Sequence, residues 1–184
     1  MRRTLFGIAL LGIMLGQFAG PRPVVQAASK WGPATLGGTF ADWKHAYGAP
    51  MKLTNLSPDE YDWFPCGNHK WGEAQVIFDH GRAISIISQG CGSDALSPMS
   101  LRLSLLHRFI PSDAVAHGAI TIDDGTGLKV KVQLYTSVQL AHMLPRGAFT
   151  DCNGNAVTPG KLAVDLHDSD DSDLVMVPGT CAIG

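Results

Sequence analysis

Aromatic and imidazole side chains are concentrated in one short segment, which is the richest candidate for molecular recognition. The segment surrounds Cys66 and carries Tyr61, Trp63, Phe64, His69 and Trp71. Aromatic side chains on a loop held by a disulfide can act as rigid anchors at an interface, and they can also stack on sugar rings. Alternatively, Trp63 and Trp71 cover the disulfide and complete a small core. The sequence predicts a partner-binding site here and leaves that alternative open.

Two further clusters could hold a metal ion. Cys66, His69, His80 and Cys91 have part of the spacing of a zinc site, but a second close Cys/His pair is missing. The segment 167–173 is rich in carboxylates that could bind Ca²⁺, but it lacks the glycine and the closing glutamate of an EF-hand loop. We therefore predict no metal and no cofactor, and we interpret 167–173 as a solvated acidic hairpin tip.

No catalytic motif is present, and we predict no catalytic residue. The chain has neither a G-x-S-x-G elbow nor an H-E-x-x-H sequence, and its glycines form no phosphate-binding or dinucleotide-binding pattern. A triad is assembled by the fold rather than by sequence spacing. A small secreted hydrolase that uses a His/Asp site therefore stays as an alternative.

The N-terminal region has the order of a secretory signal. Arg2 and Arg3 precede the uncharged apolar stretch Thr4–Gly20, and prolines and the small residues around Ala27 follow. We predict a signal peptide over residues 1–27 and a mature exported domain over 28–184, in the periplasm or at the cell surface. The alternative is an uncleaved membrane anchor, because the apolar stretch is barely long enough to span a bilayer.

The four cysteines are an even number, which favours disulfides in an exported chain. Four cysteines allow three pairings. We favour Cys66–Cys91 with Cys152–Cys181, because each of these pairs brackets one β-rich stretch.

The charge balance bears on the kind of partner. The net charge is −2, and removal of the signal also removes three arginines, so the mature chain is more acidic. An acidic chain without a Lys/Arg cluster is a poor ligand for nucleic acid. No segment after the signal is long and apolar enough for a transmembrane helix.

Hydrophobic periodicity predicts the order of helices and hairpins. A short helix runs from Thr39, a plausible N-cap, to Gly48, and a second runs over 101–109 before Pro111. Hairpins are predicted over 74–87, 119–135 and 161–177, each around a turn sequence. The segment 137–144 is predicted as either helix or strand.

This order predicts an α+β fold, an antiparallel sheet with short helices packed on one face and two disulfides. The two halves, 36–92 and 97–184, have a similar order of elements. They form either two similar helix–hairpin units or one undivided domain.

The opening L-G-G-T-F-A-D-W at Leu36–Trp43, with Y-G-A-P at Tyr47–Pro50, resembles the G-x-T and G-x-P pattern of small bacterial envelope domains. These are the BamE (SmpA/OmlA) group and the β-lactamase-inhibitor-protein group. The resemblance covers residues 36–91, although the lipid-attachment cysteine of the BamE group is missing. It implies a short helix pair leading into an antiparallel sheet, and a binding or scaffolding role rather than catalysis.

Together these observations predict a secreted, disulfide-stabilised, non-enzymatic binding or inhibitory module. The expected partner is another exported protein or a component of the cell surface. A structural component of the cell envelope is a further alternative.

Overall fold

The computed structural model describes residues 33–52, 59–66, 74–88, 99–123, 129–166 and 174–182. The helices are α1 (Phe40–Tyr47), α2 (Met99–His107) and α3 (Val138–Met143), with a short 3₁₀ helix at Arg146–Ala148. The strands are β1 (Met51–Lys52), β2 (Glu60–Trp63), β3 (Ala74–Asp79), β4 (Arg82–Ser88), β5 (Val115–Asp123), β6 (Lys129–Thr136), β7 (Lys161–Asp165) and β8 (Leu174–Pro178). The predicted α+β class is confirmed.

All eight strands form one antiparallel sheet in the order β1-β2-β3-β4-β8-β7-β6-β5. Each half of the chain supplies a helix followed by a four-stranded meander. The last strands of the two meanders, β4 and β8, pair at the centre with Ile86 opposite Met176. The outer edges are therefore formed by the first strands, β1 and β5.

The hairpin β3–β4 follows from its turn sequence. His80 and Gly81 have φ of 48° and 75°, and Asp79 pairs with Arg82. A two-residue loop with both residues at positive φ is the type I′ turn, whose twist matches that of the flanking strands. Glycine accepts this conformation without a steric cost, which explains its place after His80.

Helix α1 begins with the predicted cap. The Thr39 hydroxyl accepts a hydrogen bond from the Asp42 N–H (3.1 Å), and the Asp42 carboxylate accepts one from the Thr39 N–H (2.9 Å). This reciprocal pair satisfies backbone donors that a helix leaves free at its start. The preceding backbone is fixed to β4, because the Gly37 N–H donates to the Ala83 carbonyl (2.8 Å).

The main core lies between the helices and one face of the sheet. We call this the helix face, and its side chains include Val76, Ile86, Met176 and Val164, which lie opposite one another across the strands and are fully buried. They pack with Trp43 of α1, with Leu105 and Leu106 of α2 and with Leu140 of α3. The prediction that the helices pack on one face of the sheet is confirmed.

The predicted pairing Cys152–Cys181 is confirmed, with Cα atoms 4.9 Å apart. It ties the segment after the 3₁₀ helix to the C-terminal residues, next to a bridge between Thr150 and Gly179. It is the one disulfide shown between residues that the structure describes, where two were predicted. Cys91 lies outside the described residues, so the pairing Cys66–Cys91 stays a prediction. The segments 1–32 and 167–173, with the predicted signal and acidic tip, also lie outside them.

Candidate functional site

The predicted aromatic site divides between core and surface. Trp63 is fully buried on the helix face, within 5.9 Å of Trp43 between ring centroids. Tyr61 is half-buried, and its ring meets that of Phe40 at 4.9 Å. Trp63 therefore lies in a core, as in the alternative interpretation, and Tyr61 packs against that core.

The rest of the predicted aromatic site lies at or beyond the end of β2. Phe64 is half-buried and has a partner in the structure, while His69 and Trp71 lie outside the described residues. Cys66 is exposed, and the Arg108 guanidinium approaches its sulfur at 4.0 Å. The partner-binding role of this segment therefore stays a prediction, with Trp63 inaccessible to a partner.

The other side of the sheet forms a second candidate surface, which we call the open face. Its side chains alternate with those of the helix face, and the central ones are Ile77, Ser85, Ile87, Val177 and Leu134. All five are partly exposed. Towards β5 the open face continues through Ile122 and Ile120, the latter 38% exposed.

One part of the open face is covered by the C-terminal residues. Ala182 packs on Val130, Val132 and Ala163, and all four are buried. The disulfide of Cys181 holds this segment in place. The open face is therefore an apolar surface with a small second core at β6–β7 and partly exposed side chains on both sides of it.

Two shallow cavities open near this face. One, of about 410 Å³, lies between Ser85 and Val177 on the sheet and Gly147–Thr150 at its side. The other, of about 270 Å³, is lined by His117, Leu134, Tyr135, Thr136 and Lys161. Both are open to solvent, so they are shallow depressions beside the sheet and do not enclose a ligand.

Two carboxylates lie side by side at the β2 end of the open face. Glu60 and Asp62 are alternate residues of one strand, point to the same side, and are each 7% exposed. Burial, followed by the negative charge of Glu60, raises the pKa of Asp62 to about 6. Both carboxylates are buried, so they are not exposed to a partner.

Among the described residues, a His–Asp pair lies at the turn between β3 and β4. His80 Nδ1 lies 2.8 Å from Asp79 Oδ1, and the side chains are 87% and 53% exposed. The hydrogen bond to Asp79 and its negative charge raise the pKa of His80. Because this pair stands in solvent at the tip of a hairpin, it lacks the enclosed pocket that a hydrolytic site needs.

Within the described ranges, no group of three or more His, Cys, Asp or Glu residues could hold a metal ion. The same part of the chain has no helix with the length and apolar character needed to cross a membrane.

Sequence reasoning missed the open face, although β4 carries a usable signal. Its residues Ile86 and Ile87 are apolar at consecutive positions, which indicates a strand with apolar side chains on both faces. No protein-family model, curated protein or solved structure matches this chain significantly.

Proposed function

We propose that this chain is an exported, non-enzymatic binding module that docks a folded protein partner on its open face. The observation that supports this most directly is the set of partly exposed apolar side chains of Ile77, Ile87, Val177 and Leu134 on the side of the sheet that the described helices leave uncovered. Contiguous apolar surface of this kind is typical of a protein-interaction site.

Charge indicates the chemistry of the partner. Asp79, which is 53% exposed, lines the cavity next to Ser85. The cationic side chain that lines the other cavity, Lys161, lies at the opposite side. A partner with an apolar patch flanked by a lysine or arginine near Asp79 would complement this distribution.

Export is the second part of the proposal. The Cys152–Cys181 disulfide supports it, because disulfides persist in oxidising compartments outside the cytoplasm. We further propose that residues 1–27 are removed and that Cys66 pairs with Cys91. Intact mass and non-reducing peptide mapping of the protein recovered from the producing cells test both points. A mature chain beginning at Ala28 with both pairs oxidised is expected, and retention of residues 1–27 or a Cys66–Cys152 pair would contradict it.

Docking is tested with a photo-crosslinking residue placed at Ser85, at the centre of the open face, in the exported protein. A matched protein carries the same residue at Ala46, which is exposed on α1. Mass spectrometry identifies proteins that crosslink from Ser85 and not from Ala46. The purified partner then enters a binding titration.

The titration compares Ser85→Arg with Ala46→Arg. A bulky arginine at Ser85 separates the two surfaces, so we expect at least a tenfold weaker Kd, whereas Ala46→Arg leaves the Kd unchanged. Circular dichroism confirms that both variants are folded. Equal crosslinking from the two positions, or an unchanged Kd in Ser85→Arg, would refute docking on the open face.

The relation to the β-lactamase-inhibitor-protein and BamE groups is part of this proposal and rests on the sequence pattern of residues 36–91. In this region the structure has one short helix, α1, before the antiparallel strands, where the resemblance implies a helix pair.

A further inference from the structure

Strand β5 is a long edge strand with a free side. It runs from Val115 to Asp123 at the end of the sheet and pairs only with β6 within the described part of the chain. Eight of its nine residues are exposed. The strand at the opposite edge, β1, has only two residues, and such a short edge strand offers little backbone for pairing with another chain.

Apart from a bulge in its first part and Asp123 at its end, the outward side of β5 lacks the usual protection. From Val115 to Ile122 it has no lysine, aspartate, glutamate or proline, and Val115 and Ile120 are 60% and 38% exposed. The ionisable residue of this range is His117, and its side chain contacts β6, with Nε2 at 2.8 Å from Thr136 Oγ1. A bulge between Ala116 and Ala119 interrupts the first part of the strand. The regular part, Ala119–Ile122, therefore has an edge that can pair with another strand.

The hydrogen bonds of β6 show which groups of β5 point outwards. The Lys131 carbonyl accepts from the Leu166 N–H at 2.8 Å, so Lys131 directs its backbone groups towards β7. Thr121 lies opposite Lys131 in β5. In an antiparallel ladder such a pair exchanges no hydrogen bonds, and the backbone groups of Thr121 point to the free edge. The same holds for Ala119 and Asp123, two residues away on either side.

This segment is complementary to itself. In an antiparallel pair of two copies centred on Thr121, each Ile120 lies opposite Ile122 of the second copy, and Thr121 lies opposite Thr121. The isoleucines then form closely spaced pairs, and Thr121 exchanges backbone hydrogen bonds with Thr121 of the second copy. Asp123 lies opposite Ala119 rather than a second aspartate, so the pairing places no like charges directly opposite.

We propose that β5 pairs with β5 of a second copy of this chain, which makes a two-fold dimer with one continuous sheet. The pairing strand belongs to a second copy of this chain, because Ile120-Thr121-Ile122 is complementary to itself in antiparallel register, as a two-fold interface requires. The inference is independent of the docking proposed for the open face, because it rests on the sheet edge and not on the face.

The test measures the mass of the exported protein in solution by light scattering and sedimentation over a wide concentration range. We expect a concentration-dependent rise from one chain mass to two. Thr121→Lys and Thr121→Glu each place like charges opposite each other at the two-fold axis, so each variant alone stays monomeric. An equimolar mixture of the two variants restores the dimer, because the charges are then opposite.

Val138→Lys is the control, since Val138 is 70% exposed on α3 outside the strand and its loss should leave the dimer unchanged. Thermal unfolding checks that every variant is folded. Three results would overturn the proposal: a wild-type protein that stays monomeric up to millimolar concentration, Thr121 variants that dimerise like wild type, and a mixture that stays monomeric.

Discussion

Ser137 donates a hydrogen bond of 2.6 Å from its hydroxyl to the Asp113 carboxylate, while the same hydroxyl accepts one from the Leu140 N–H at 2.9 Å. The other carboxylate oxygen of Asp113 accepts from the Gln139 N–H at 2.8 Å. Asp113, from the loop before β5, thus extends the cap of α3. This relay connects two segments that flank the β5–β6 hairpin.

Replacing Asp113 by alanine should lower the free energy of unfolding by about 1 to 2 kcal/mol, because the first backbone N–H groups of α3 and the Ser137 hydroxyl lose an acceptor. Urea unfolding at pH 7 measures the change. Asp113→Asn keeps one acceptor and should lose less. Equal losses in the two variants would contradict this account, because the acceptor that asparagine retains would then contribute nothing.

The same carboxylate makes the cap sensitive to acid. Burial acts to raise the pKa of Asp113, but hydrogen bonds from Ser137, Gln139 and neighbouring backbone groups outweigh it and lower the pKa. A lowered pKa in the folded state gives stability that is present above the unfolded pKa and is lost as the pH falls through the folded pKa. The stability difference between wild type and Asp113→Ala should therefore shrink in acid, and a difference independent of pH would argue against this account.

The contribution of Asp62 to stability should have the opposite dependence on pH. Its pKa rises from 3.8 to about 6, chiefly through burial and then through the charge of Glu60. A raised carboxyl pKa favours the folded state while the group is protonated, so stability should fall as the pH rises from about 4 to above 6. We expect an effect of about 1 to 2 kcal/mol. Asp62→Asn should flatten this decline in urea unfolding measured across that range, whereas an unchanged slope would refute the assignment.

Thr39→Ala should destabilise the protein by about 1 kcal/mol, because it removes the acceptor for the Asp42 N–H at the start of α1. Thr39→Ser keeps the hydroxyl and serves as the control. Denaturant midpoints of the two variants give the comparison. A serine variant as unstable as the alanine variant would show that the methyl group, and not the cap, matters.

Cys152→Ser with Cys181→Ser should lower the free energy of unfolding by about 3 to 4 kcal/mol, since the bond closes a loop over a sequence separation of 29 residues. Release of Ala182 from Val132 and Ala163 should also increase the binding of a fluorescent apolar dye to the open face. A double variant that is destabilised by less than about 1 kcal/mol and binds no more dye would contradict both expectations.

Local patterns determined what could be predicted from the sequence. The cap at Thr39, the turn at Gly81 and the three hairpins depend on neighbouring residues, and the structure places them as predicted. The sequence of 137–144 is too short to distinguish a helix from a strand, and in the structure Ser137 caps a helix there. The pairing of β4 with β8 joins distant residues whose relation no local pattern encodes.

The candidate surfaces were less predictable for the same reason. Trp63 carries an aromatic side chain that suits either a core or an interface, and only the sheet register places it on the helix face. Ile77 and Ile87 belong to different strands, and their common face depends on that register as well.

The central position of β4 and β8 has a consequence for how the chain folds. Ile86 and Met176, which face each other there, are separated by almost half of the sequence, so loop-closure entropy must be overcome before their contact stabilises anything. During synthesis the strands β1–β4 are complete long before β8 has been made, so β4 is an unpaired edge strand until then. We expect slow folding, and chains that end before Leu174 should aggregate through β4.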